Sequence, residues 1–152
     1  MSFLNPLDLI GWKKSDPRLS KIFDENKKVI ILFPHTSILD GVMAYYYLHF
    51  DEQTKKYRDR MKILVRDDNF KVPIIGQILS YIKAVPAGKP GSAAGSLART
   101  FEHLDQMDDF ILCLSPKGNL KRSEWRSGWY HIARRYNATV IVAGVDYEKH
   151  TA

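Results

Sequence analysis

Val29-Ile30-Ile31-Leu32-Phe33-Pro34-His35-Thr36-Ser37-Ile38-Leu39-Asp40 is the stretch that decides the fold. Its first five residues form an unbroken run of β-branched, aliphatic and aromatic side chains. That is the pattern of a strand covered on both faces in a mostly parallel sheet. Pro34 ends the run, and Thr36 or Ser37 caps a helix that continues through Asp40 towards Leu48. A histidine is therefore delivered to the carboxyl end of a strand, the place where open α/β sheets bind their ligands.

A neutral imidazole takes a proton from a hydroxyl near neutral pH when an acceptor holds its other nitrogen as the donor. Asp40 is the candidate acceptor for His35, giving a His-Asp dyad in which a substrate hydroxyl replaces the serine of a triad. The plainer alternative is that His35 caps the helix. His49, His103, His131 and His150 show no metal-like spacing, and no metal site is expected.

Outward from this unit, strands alternate with helical patterns. Asp16-Pro17 opens a short helix through Phe23, and Asn26-Lys27-Lys28 turns into the first strand. Asp51 to Arg60 reads as a solvated, charged helix end and loop. Lys62 to Val65 and Ile82 to Val85 read as strands, separated by a helical pattern over Gln77 to Tyr81. Pro86 to Gly91 is a loop offering backbone amides and Lys89 to an anion. Ser92 to Asp105 is predicted helical with Leu97, Phe101 and Leu104 on one face, followed by a strand over Phe110 to Leu114. A cationic loop, Ser115 to Arg122, leads to a helix over Trp125 to Tyr136 and a last buried strand over Thr139 to Val145. The alternation implies a single α/β domain with a largely parallel sheet flanked by helices. Three loops, His35 to Asp40, Pro86 to Gly91 and Ser115 to Arg122, should then meet at one edge, one bringing a base and two bringing cations.

The 152 residues suit one domain, and 45% hydrophobic content with no long apolar run excludes a membrane span. A single cysteine, Cys113, rules out an intramolecular disulfide and fits a cytoplasmic chain. Residues 1–28 form an N-terminal arm; Phe3, Leu7, Ile10 and Trp12 with Lys13 and Lys14 suit either docking on the core or lying peripherally on a membrane interface. The net charge of +6 favours anionic partners. Nucleic acid is not expected among them, because the basic residues are spread along the chain and match no recognised motif.

Several blocks in the right order carry a resemblance. Pro34 to Asp40 resembles the H-x-x-x-x-D block of the glycerolipid acyltransferases, the lysophosphatidic acid and glycerol-3-phosphate acyltransferases. Phe70-Lys71-Val72-Pro73-Ile74-Ile75-Gly76 is similar to their F-x-x-P-x-x-G segment, and Ala84 to Lys89 to their A-I-P-V-D-R block. Leu114 to Asn119 sits where they have F-P-E-G-T-R, and Trp125 to Ala133 with Ile141 to Val145 resembles their closing helix and strand. The resemblance covers roughly residues 28–147 and implies a glycerol-3-phosphate acyltransferase-like α/β domain over residues 29–152. It implies transfer of a fatty acyl group from acyl-CoA or acyl carrier protein, as co-substrate with no bound cofactor, to a lysophospholipid or glycerol-phosphate-like acceptor in phospholipid biosynthesis. His35 and Asp40 would be catalytic; Lys89, Pro116, Lys117, Gly118, Asn119, Lys121 and Arg122 would bind substrate.

The stretch matching F-P-E-G-T-R departs from the family pattern. Lys117 replaces the acidic residue, Asn119 the threonine and Leu120 the arginine, while Lys89 and Gly88 replace the arginine and aspartate of A-I-P-V-D-R. The alternative is therefore a lipid-binding pseudoenzyme of the same fold. The chain also stops soon after the last matching strand, and an open sheet edge there would favour a homo-oligomer.

Overall fold

The structure, a computed structural model, describes residues 16–33, 51, 53–88, 93–117, 121, 123–144 and 146–149. Its elements are α1 (Arg18–Glu25), β1 (Lys28–Leu32), a 3-10 helix (Lys55–Arg60), β2 (Met61–Arg66), a second 3-10 helix (Asp67–Lys71), α2 (Ile75–Tyr81), β3 (Val85–Ala87), α3 (Ala93–Leu104), β4 (Phe110–Leu114), α4 (Gly128–Tyr136) and β5 (Thr139–Val142). The five strands form one sheet in the order β3-β2-β4-β1-β5, and every pairing is parallel. The expected α/β class and parallel sheet are thus observed. Among the described residues, no helix is long and apolar enough to cross a membrane.

The apolar run of β1 is buried on both faces because its side chains alternate between two cores. Val29 and Ile31 join Phe23 of α1, Tyr57, Met61, Ile111 and Cys113. Ile30 and Leu32 join Leu104 of α3, Ile132 of α4, Val85, Phe110, Leu112 and Leu114 on the other side. Leu97 and Phe101 pack against this second core, so the predicted apolar face of α3 is the one that docks.

Three expectations need correction. The stretch from Asp51 to Arg60 is not simply a solvated loop: Asp51, Thr54 and Tyr57 are buried. Tyr57 lays its ring edge-on against Phe23 at 5.1 Å and donates its hydroxyl to Asp24 Oδ1 at 2.7 Å. That bond, reinforced by Lys56, holds the Asp24 carboxyl below the usual range. Arg60 reaches back to the end of α1, donating to the carbonyls of Phe23 (2.7 Å), Asn26 (2.6 Å) and Lys27 (3.0 Å), with Nε 3.2 Å from Asp109. A guanidinium thus satisfies carbonyls that a helix terminus leaves without intrahelical donors.

The second correction concerns β3, which begins at Val85 rather than Ile82. Lys83 adopts φ 54°, its N–H donates to the Ser80 carbonyl, and the Ala84 N–H donates to the Leu79 carbonyl at 2.9 Å. This is the two-bond left-handed cap that closes a helix, and it uses the residues that had read as strand. Pro86, expected in the loop, lies instead in β3 at the sheet edge, where a missing N–H breaks no central ladder.

The third is β5, which is an edge strand with alternating exposure rather than a buried one. Only β1 flanks it among the described residues, and Val142 is left 62% exposed.

Gly76 is fixed by space. A Cβ there would lie 2.1 Å from the Phe70 carbonyl oxygen, so the F-x-x-P-x-x-G spacing records a close backbone approach.

Replacing Gly76 with alanine should destabilise the fold by about 3 kcal/mol, since backbone and not a pliable side chain must move. Arg60→Ala should cost about 2 to 3 kcal/mol through the lost charge-assisted bonds. Urea-unfolding midpoints measure both. Burial pushes the Cys113 thiol up to about 12. A thiol raised in this way favours the folded state fully below the unfolded thiol's value of about 8.5, and the contribution fades as pH climbs towards the folded value. Alkylation of Cys113 at mildly alkaline pH should run on the order of a hundredfold slower in the native protein than in urea.

Candidate active site

Because all five strands are parallel, their carboxyl ends share one edge of the sheet. Leu32 pairs with Leu114 on one side and Val142 on the other, so β1 and β4 end level with each other. The Phe33 N–H donates to the Leu114 carbonyl at 2.9 Å, carrying the pairing one residue further. Two residues later the sequence reaches His35. The three expected loops accordingly leave from the same edge, but not from equal distances. At about 4.8 Å per strand spacing, the exit of β4 is one step from β1, whereas the exit of β3 is three steps away, roughly 14 Å.

His35, Asp40, Lys89, Gly118, Asn119 and Arg122 lie outside the described residues. Of the other expected site residues, Pro116 is buried, Lys117 is half-buried and Lys121 is exposed. Pro116 and Lys117 lie two and three residues past the end of β4, so the structure puts them at the edge beside the exit of β1. The Arg126 N–H donates to the Pro116 carbonyl at 2.8 Å, tying the end of the loop to its beginning. Trp125 next to this closure is partly exposed.

Ser115 was not among the expected site residues. It occupies the first position past β4, where the related block has an aromatic side chain. Its Oγ is shielded from solvent and has no hydrogen-bond partner among the described residues. A shielded hydroxyl without a partner is unfavourable unless a ligand or water completes it. The sequence signal for it was the exchange of an aromatic ring for a hydroxyl at a position facing the strand end.

A buried cation lies elsewhere. Lys62, near the amino end of β2, donates to the Asp59 carbonyl at 2.6 Å, and its pKa falls because burial strips water from the ammonium and Lys83 repels it. It serves the opposite end of the sheet. The carboxyl edge thus combines a hydroxyl with no partner among the described residues, a half-buried lysine and a loop tied across by the Arg126–Pro116 bond, beside the strand that leads to His35.

No curated protein and no solved structure matches the chain. The Acyltransferase family model matches residues 16–145, and it begins ahead of α1, whose Phe23 is part of the core. With most of its length matched and its parallel sheet in place, the chain belongs to the glycerolipid acyltransferase family and is an acyltransferase.

Proposed function

We propose that the protein moves a fatty acyl group from acyl-CoA or acyl carrier protein to the hydroxyl of a lysophospholipid or glycerol-phosphate-like acceptor. The observation that carries this reading is the level ending of β1 and β4, which brings the exit towards His35 next to the loop containing Lys117. In this reading His35 accepts the acceptor's hydroxyl proton while Asp40 orients the imidazole and stabilises its charged form. The alkoxide oxygen bonds to the thioester carbonyl carbon, the C–S bond breaks, and the departing thiolate takes the proton from the imidazolium. No covalent enzyme intermediate forms.

Lys117, Lys121 and Arg122 on the near loop, with Lys89 on the far one, supply the charge for the acceptor's phosphate. A lysine ammonium is a point charge on a flexible stem, so this site attracts an anion without the two-pronged geometry an arginine would impose. Pro116, Gly118 and Asn119 shape the loop around it. Lys117 in place of an acidic residue raises the local charge by two and suits a more anionic acceptor, such as one bearing a phosphate monoester. In this reading such an acceptor also completes the hydrogen bonding of the Ser115 hydroxyl, which is shielded and has no partner among the described residues.

Acyl transfer from a panel of acyl-CoAs to lysophosphatidic acid, glycerol 3-phosphate and neutral-headgroup lysophospholipids tests the assignment. His35→Ala should lower kcat on the order of a hundredfold or more. Lys117→Glu should raise KM for phosphate-bearing acceptors with less effect on the acyl donor. An inactive wild-type protein that gains transfer in Lys117→Glu would instead identify a lipid-binding member of the fold whose Lys117 loop has left catalysis.

A further inference from the structure

The loop that closes onto Pro116 carries an exposed aromatic and cationic face to which the function proposed above gives no role. Trp125 is 44% exposed and Tyr130 is 49% exposed. Trp129 packs against the core of Leu104, Phe110 and Ile132, so one tryptophan of this stretch turns inward and the other outward. Among the described residues, no ring or cation covers Trp125. Tyr130 meets Trp129 at 6.1 Å and His131 at 5.8 Å, with interplanar angles of 87° and 72°. Such edge contacts fix the direction of its ring without stacking a parallel ring on it.

The charge around these rings is one-sided. Residues 117–135 hold six basic side chains and one acidic one, Glu124. Arg135 is engaged by the fold, 2.8 Å from Asp105 and over the Phe101 ring at 4.6 Å. Arg126 and Arg134 are exposed, and neither guanidinium has an acidic partner among the described residues.

The backbone sets where these groups lie. The Arg126 N–H bond to the Pro116 carbonyl holds Trp125 and Arg126 at the carboxyl edge of the sheet. α4 starts just beyond, at Gly128, and turns Trp129, Ile132, Ala133 and Tyr136 towards the core. Tyr130 and Arg134, one turn apart, therefore share its outer face. Ring and guanidinium alternate along the chain, from the site edge onto the back of α4.

Exposed rings beside guanidinium groups suit a ligand that is flat, π-rich and anionic at once. A glycerol-phosphate headgroup is anionic but has no π face, and an acyl chain has neither property. The two thioester donors differ in this respect. Coenzyme A carries the acyl thioester on a pantetheine arm that ends in a diphosphate, a ribose phosphate and adenine, whereas a carrier protein bears the same arm without a base.

We propose that Trp125 and Tyr130 stack the adenine of acyl-CoA while Arg126 and Arg134 bind its phosphates, so that coenzyme A and not a carrier protein is the donor. Base stacking on an aromatic ring and forked guanidinium bonds to phosphate are each favourable in a solvent-open groove. The Lys117 loop is left for the acceptor's phosphate, and the two anionic ends of the substrates occupy separate cations. The choice of donor rests on the acyl transfer proposed above, whereas the nucleotide site is read by binding alone.

Calorimetric titration with adenosine 3′,5′-bisphosphate and with pantetheine 4′-phosphate tests it. The wild-type protein should bind the adenosine bisphosphate, less tightly as salt rises, and bind the pantetheine phosphate far more weakly. Trp125→Ala should weaken adenosine bisphosphate binding about tenfold, and Tyr130→Leu should act in the same direction. Both side chains are exposed, so circular dichroism should show folded variants. Arg126→Gln with Arg134→Gln should weaken the bisphosphate about tenfold and flatten its salt dependence. In turnover, Trp125→Ala should raise KM for acyl-CoA with kcat and the acceptor KM little changed. Binding of the bisphosphate that is unaltered in both ring variants would overturn the proposal. So would its failure to bind the folded wild type, faster transfer from acyl carrier protein than from acyl-CoA, or tighter binding of a single-stranded oligonucleotide at Trp125. An inactive wild type that still binds the bisphosphate through Trp125 keeps this site and removes the transfer reaction, while transfer from acyl-CoA indifferent to Trp125 and Tyr130 does the reverse.

Discussion

Parallel pairing of β1 with β4, with Leu32 opposite Leu114, is the constraint on which the rest of the molecule depends. Both strands are apolar on both faces, so hydrophobicity alone would tolerate a slip by one residue. Two things outside the ladder prevent it. The Phe110 N–H donates to the Lys27 carbonyl at one end, and the Phe33 N–H donates to the Leu114 carbonyl at the other. The two cores also differ in shape, one built around Phe23, Tyr57 and Met61 and the other around Leu104, Phe110 and Ile132. A slip would push the side chains of β1 into the wrong set of holes, and close-packed interiors do not accommodate that.

The strands legible in the sequence were those whose apolar runs coincide with central positions. β1, β2 and β4 fell within a residue or two of expectation because Val29 to Phe33, Lys62 to Val65 and Phe110 to Leu114 have two buried faces or a buried neighbour on each side. The edge strands were misplaced for different reasons. At β3 the apolar residue Ile82 belongs to a helix cap closed by Lys83 in a left-handed conformation, and a lysine carries no warning of that geometry where glycine would. At β5 the run Thr139 to Val145 contains the right residues for a buried strand, but sheet order puts it at the edge, and order is not a local property.

The site divides along the same line. The sequence was sufficient to nominate His35 and the cationic loops, and the parallel sheet puts their strand ends on one edge. It could not separate near from far: the order β3-β2-β4-β1 makes the Lys117 loop an immediate neighbour of the β1 exit and the Lys89 loop a distant one. Ser115 escaped notice because a serine in a loop is unremarkable until its hydroxyl is found shielded and without a partner among the described residues. The exposure of Ile75 and Ile78 on α2 was likewise hidden, since Gln77 to Tyr81 had read as an ordinary helical pattern and only the structure shows these side chains turned to solvent.

The Arg60 clamp has a consequence for chain length. By binding the carbonyls of Phe23, Asn26 and Lys27, it ties the approach to β2 to the approach to β1, while Ser20 Oγ holds the Gln53 carbonyl nearby at 3.0 Å. The chain between Phe33 and Asp51 therefore departs from one fixed point and returns to another, whatever its own length or composition. Lengthening such an excursion adds only about 0.6 kcal/mol for each doubling. The sheet thus carries its own register and core at both ends of this excursion, and a change in the number of residues between Phe33 and Asp51 bears on the stability of the frame only through that small entropic cost.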